Sequence, residues 1–179
     1  HTKLPQDERR KQVATDLLQD ADRARKRIEA GIATLADPLA LRAFQVMNRS
    51  VARALRQRDC HGMKGADPAK VKPPKWYPFQ IAFILLNLAG MVDGEHGDRN
   101  TVDLLFFPTG GGKTEAYLGL AAFSILLRRL RDPSIYSCGV TVLMRYTLRL
   151  LTLDQLGRAS TLICALELER QADPTAFGK

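Results

Sequence analysis

Val102-Asp103-Leu104-Leu105-Phe106-Phe107 runs directly into Pro108-Thr109-Gly110-Gly111-Gly112-Lys113-Thr114, and an apolar, helix-forming stretch continues from there to about Arg131. The first six residues have the length and aromatic content of a buried strand. The glycines free backbone N–H groups to converge on one anion, and a helix starting at the end of the loop aims its positive dipole at the same point. Strand, glycine-rich loop, Lys-Thr and helix in this order predict a phosphate-binding loop. In that chemistry Gly110, Gly111 and Gly112 cradle the phosphates with Thr109, Lys113 neutralises the β- and γ-phosphates, and the Thr114 hydroxyl ligates Mg²⁺. The bland counterpart is a glycine-rich turn without a ligand.

Outward from the loop, Asp132-Pro133-Ser134 breaks the helix, Val140 to Met144 reads as a second strand, and a long helix is expected from about Leu148 to Gln171. Strand, helix, strand, helix predicts an α/β fold with a parallel sheet. Upstream, Val13, Leu17, Ala21, Ala24, Ile28, Ile32 and Leu35 repeat in steps of three and four, the mark of an amphipathic helix over 7–36. After Asp37-Pro38 a second such pattern runs through Leu41, Phe44, Met47, Val51 and Leu55, ringed by Arg42, Arg49, Arg53, Arg56 and Arg58. Two helices joined at a proline predict an N-terminal α-helical hairpin. Its arginines read as a solvated face or as a surface for phosphate or a partner. The Gly-, Pro- and Lys-rich residues 59–75 read as a linker, dividing the chain into a helical region 1–58 and an α/β part 76–179.

The 179 residues are 45% hydrophobic and 26% charged, which excludes disorder and collagen-like repeats. Apolar runs fall short of the roughly 20 residues a bilayer requires, so no membrane role is expected. His1 stands first and the opening thirty residues are charged throughout, so the chain reads as cytoplasmic and its start as trimmed. Cys60, Cys138 and Cys164 have no CxxC spacing, and Cys60-His61 lacks the further ligands a zinc site needs. The net charge of +8 lies in residues 1–75, where 17 Lys and Arg face 9 Asp and Glu; residues 76–179 hold 10 of each. Such a surplus attracts phosphate backbones but also occurs on proteins that never meet them.

Phe107 occupies the first glycine position of the strict G-x-x-x-x-G-K-[ST] pattern. Pro108-Thr109-Gly110-Gly111-Gly112-Lys113-Thr114 is instead similar to motif I of superfamily-two helicases. Trp76-Tyr77-Pro78-Phe79-Gln80, about 33 residues before Lys113, resembles their Q-type motif. The resemblance implies that an aromatic such as Phe79 packs on adenine and that the Gln80 amide reads its edge. Core packing is the alternative for the aromatics, and the favoured one for Trp76. Arg145-Tyr146-Thr147, followed by a helix with Gln155, loosely resembles motif Ia, which would make Arg145, Tyr146, Thr147 and Gln155 DNA contacts. Helix capping by Thr147 and a surface Arg145 are the alternatives.

WYPFQIAFILLNL (76–88), DLLFFPTGGGKTEAYLGLAAF (103–123) and VLMRYTLRLLTLDQLGRAS (142–160) together resemble the helicase subunit of the DISARM anti-phage defence system over roughly residues 40–170. That resemblance implies an ATP- and Mg²⁺-dependent DNA helicase with two RecA-like domains, whose partners are DNA, a second DISARM subunit and the remainder of its own chain. Glu115 belongs to the shared wording without an assigned role. No Asp-Glu pair of the motif II kind follows Lys113, and Asp93-Gly94-Glu95-His96 precedes the loop and reads as a turn. The expectation is a chain that stops inside the first RecA-like domain and is inactive alone. A nucleotide-gated scaffold that recruits a partner without translocating is the rival.

Overall fold

The computed structural model describes residues 6–106, 110–145 and 149–178. Helix α1 spans Gln6–Thr34. Its Asp22, Arg25, Lys26 and Glu29 pair at helical spacing on the exposed side, with Arg25–Asp22 at 2.8 Å and Lys26–Asp22 at 2.7 Å. Helix α2, Pro38–Asp59, starts where the Asp37 carboxylate accepts the Leu39 N–H and Pro38 presets the first turn. Helix α3 spans Pro78–Val92, helix α4 Lys113–Arg131, helix α5 Arg149–Ala172 and the short helix α6 Pro174–Phe177. Three 3-10 turns, Pro68–Lys70, Gly97–Asn100 and Ile135–Ser137, lie in the connections.

The expected parallel sheet is not formed: among the described residues there is no strand. Residues 101–106 and 139–145 lie outside any helix and outside any ladder. A helix satisfies its N–H and C=O groups from its own chain, whereas a strand exists only through a neighbour. Neither segment pairs with the other, so Val102, Leu104, Phe106, Val140 and Leu143 stay largely exposed. The short apolar, aromatic run has the composition of a strand, but strand identity is decided by a partner.

The helical hairpin is corrected as well. α1 packs on α3, while α2 packs on α4 and α5. The α1–α3 approach requires Gly31, since a Cβ there would be driven into the Leu85 carbonyl. One continuous core then crosses residues 59–75, joining Met47 and Val51 of α2, Ile84 and Leu88 of α3, Phe123 and Leu127 of α4, Leu162 of α5 and Phe177. Met47, Ile84, Leu88 and Phe123 are completely buried.

Arg42, Arg49, Arg53 and Arg58 of α2 form an exposed face, and from it they reach carboxylates of other elements. Arg42 pairs with Asp173, Arg49 with Glu169 at 3.1 Å and Arg58 with Glu115 at 2.9 Å. On α1, Arg27 donates to Asp98 at 2.7 Å and to both oxygens of Asp103 at 2.6 and 2.8 Å. These bonds hold its guanidinium firmly in the charged form, Asp103 being the largest influence. Asp103 lies in the segment leading to the glycine-rich loop, so α1 anchors that approach through Arg27.

Candidate phosphate-binding site

The loop reaches α4 through backbone that only glycine adopts readily. Gly110 has φ +82° and Gly112, directly before the helix, φ +83°, with Gly111 between them outside the positive-φ set. Such alternation turns successive N–H groups to one side, forming an anion-binding concavity. The first turn of α4 adds N–H groups without intrahelical partners and the positive end of its dipole. A Cβ at Gly112 would also stand 2.7 Å from Gln80 Nε2.

Gln80 is buried, and its amide is engaged at both ends. Oε1 accepts the Tyr77 N–H at 2.8 Å, capping α3, and Nε2 donates to the Gly112 carbonyl at 2.7 Å. The residue therefore ties the start of α3 to the glycine-rich loop. Tyr77 and Phe79 form a parallel ledge with ring centroids 6.2 Å apart and planes within 7°. Trp76 instead packs over Gly119, and its indole N–H donates to Asn48 Oδ1 at 2.6 Å.

These elements line a cavity of about 1360 Å³. Tyr77, Phe79, Gln80, the residues from Gly110 to Glu115 and Gln155 all contribute to its wall. The structure thus brings Phe79, Gln80, Gly110, Gly111, Gly112, Lys113 and Thr114 together, and adds Gln155. Arg145 is exposed and outside this lining. Thr109, Tyr146 and Thr147 lie outside the described residues.

Sequence reasoning missed a charged cluster on the same wall. Glu115, in the first turn of α4, accepts Arg58 Nη1 from α2 at 2.9 Å and Arg158 Nη1 from α5 at 3.0 Å, both on Oε1. Arg158 Nε also donates to Asp154 at 2.9 Å. The Glu115 side chain is only 13% exposed. The available signal was Glu115 itself, a carboxylate placed where an anion is expected to bind.

The glycine cradle and helix N-terminus fit a nucleotide polyphosphate. Among the described residues no cluster of three or more His, Cys, Asp or Glu could hold a metal ion. Magnesium suits such a place when phosphate oxygens and water supply most of its ligands, with Thr114 as the protein's contribution. No helix among the described residues is long and apolar enough to cross a membrane.

No protein-family model matches the chain. It is similar to the DISARM protein DrmA of Bacillus paralicheniformis, with 43% identity over 189 aligned residues. The match covers 99% of this chain and 17% of that protein, so the chain spans about a sixth of its relative's length. The similarity is therefore to one segment of DrmA.

Proposed function

We propose that this chain supplies the nucleotide-binding segment of an ATP-dependent DISARM defence protein that works on DNA. The single observation that carries the reading is the alternating glycine backbone at Gly110 and Gly112 leading into α4, inside a cavity large enough for a nucleotide. In this reading the loop N–H groups and Lys113 bind the phosphates of ATP, and Thr114 contributes to Mg²⁺. Tyr77 and Phe79 offer their ledge to the base, and Gln80 keeps the loop in register with α3. Bound Mg²⁺ supplies charge neutralisation at the phosphates. The chain's own residues orient the polyphosphate and hold it against the helix dipole.

The similarity to DrmA supports a role in anti-phage defence, and the finer reading is a helicase that couples ATP hydrolysis to movement on DNA. Arg145, Tyr146, Thr147 and Gln155 are its proposed DNA contacts, with a second DISARM subunit and further DISARM chain as partners. Gln155 lines the same cavity as the glycine-rich loop.

The test is Lys113→Ala. Binding of a fluorescent ATP analogue with Mg²⁺ should fall by at least about tenfold, since a direct charge-assisted contact is removed, while the helical circular dichroism is retained. Unchanged affinity would overturn the site. In the parent protein DNA should stimulate ATP turnover; turnover indifferent to DNA would favour a nucleotide-gated scaffold.

A further inference from the structure

We propose that Arg58 and Arg158 are polyphosphate-reading residues of the same cavity, held ready by Glu115 and selective for a triphosphate over a diphosphate. This rests on the phosphate-loop reading and extends it to residues outside the loop. Both arginines line the cavity that contains Gly110 to Thr114. They arrive from different elements, α2 and α5, and meet on one oxygen of one carboxylate. The other oxygen, Oε2, faces the loop, 3.6 Å from where a Cβ of Gly112 would stand.

The electrostatics explain the arrangement. A bare carboxylate in the first turn of α4 would repel any phosphate drawn to that helix end. Two guanidiniums answer Glu115 and the Asp154 carboxylate that Arg158 also holds at 2.9 Å, so the cluster is balanced and no bare negative charge faces the cavity. A guanidinium carries five N–H donors in a planar fork suited to phosphate oxygens. Arg58 commits one donor, to Glu115, and Arg158 commits two, to Glu115 and Asp154. Their remaining donors serve an anion in the cavity without dismantling the trio. The loop binds what ATP and ADP share, Lys113 reaches from the β- to the γ-phosphate, and the arginines add planar forks that respond to the terminal phosphate.

The experiment measures binding of Mg-ATP, Mg-ADP and inorganic tripolyphosphate to the full chain and to Arg58→Lys, Arg158→Lys and Glu115→Gln, with thermal melts as a folding control. Each lysine variant should weaken ATP and tripolyphosphate by about tenfold and ADP by less than about threefold, because a planar fork is replaced by a point charge. Glu115→Gln weakens the acceptor that holds both guanidiniums and should lower the preference for ATP over ADP. A trio that only staples helices would lower the melting temperature and leave the ATP-to-ADP ratio unchanged, and that result overturns the proposal. If the wild-type chain binds ATP, Lys113→Ala loses it and the arginine variants bind like wild type, only the arginine assignment fails. If the wild-type chain binds neither ATP nor tripolyphosphate, the phosphate-loop reading itself has failed.

Discussion

The two ends of α4 meet opposite problems. At its start, orphan N–H groups and two positive-φ glycines face an open cavity, with Glu115 and its arginines on the wall. At its end, the side chains of the last turn are spent on backbone carbonyls. Arg128 donates to the carbonyls of Cys138 and Val140, each at 3.2 Å, and Arg131 to that of Val92 at 2.5 Å. Arg129 donates to the carbonyls of Phe177 at 2.8 Å and Ser134 at 3.1 Å, and to Ser137 Oγ at 2.7 Å. Cations near a helix C-terminus complement its dipole, and here they also satisfy loops that have no ladder of their own. One end of the helix is closed by its own chain, and the other keeps its donors toward a cavity.

Removing Arg129 should break this comparison most severely. Arg129→Ala removes the side-chain donor to the Phe177 carbonyl and to Ser137 Oγ and one of the donors to the Ser134 carbonyl, loosening α6 on α4, so the expected loss is about 2–4 kcal/mol in urea unfolding. A loss below about 0.5 kcal/mol would mean that apolar contacts of Phe177 hold this end instead. At the opposite end, Gly112→Ala forces a Cβ into φ +83° and against Gln80 Nε2. It should cost about 1–2 kcal/mol and lower affinity for ATP. If stability falls while affinity holds, the clamp between Gln80 and Gly112 is structural only.

The smallest effect is a pH dependence confined to the closed end. Arg170 donates to the Gly178 carbonyl at 2.9 Å and is itself gripped by Glu167. Arg170 first and Gln171 second lower the Glu167 carboxyl from 4.5 to about 2. Because the folded value lies below the unfolded one, this carboxylate stabilises the fold above about 4.5, and the contribution is lost as pH falls toward about 2. Glu167→Gln should therefore narrow its gap to wild type across that interval in thermal melts. A gap that stays constant with pH would assign the stabilisation to hydrogen bonding alone.

Several elements were legible residue by residue. The three-and-four spacing of Val13 through Leu35, the Asp37-Pro38 start, and the break at Asp132-Pro133 marked α1, α2 and the end of α4 closely, because helices are built from neighbours in sequence. Gly110 to Thr114 marked the left-handed turn and the start of α4 for the same local reason: positive φ and a helix start are properties of a few adjacent residues. The long final helix was equally plain.

What depends on distant residues was not. Val102 to Phe106 and Val140 to Met144 carry strand-like composition, yet no ladder forms among the described residues, since pairing requires a neighbour that local pattern does not supply. The α2 arginines form an exposed face as their spacing implied, but only the fold set Asp173, Glu169 and Glu115 opposite Arg42, Arg49 and Arg58. Gln80 was read as a base contact, while the tertiary structure engages both ends of its amide with Tyr77 and Gly112. The sequence by itself determined the helices and the left-handed glycine backbone before α4, through interactions within a turn or two of chain. Tertiary structure alone decided which helices pair, which charges meet and which apolar segments go without a partner, because those contacts join residues tens of positions apart.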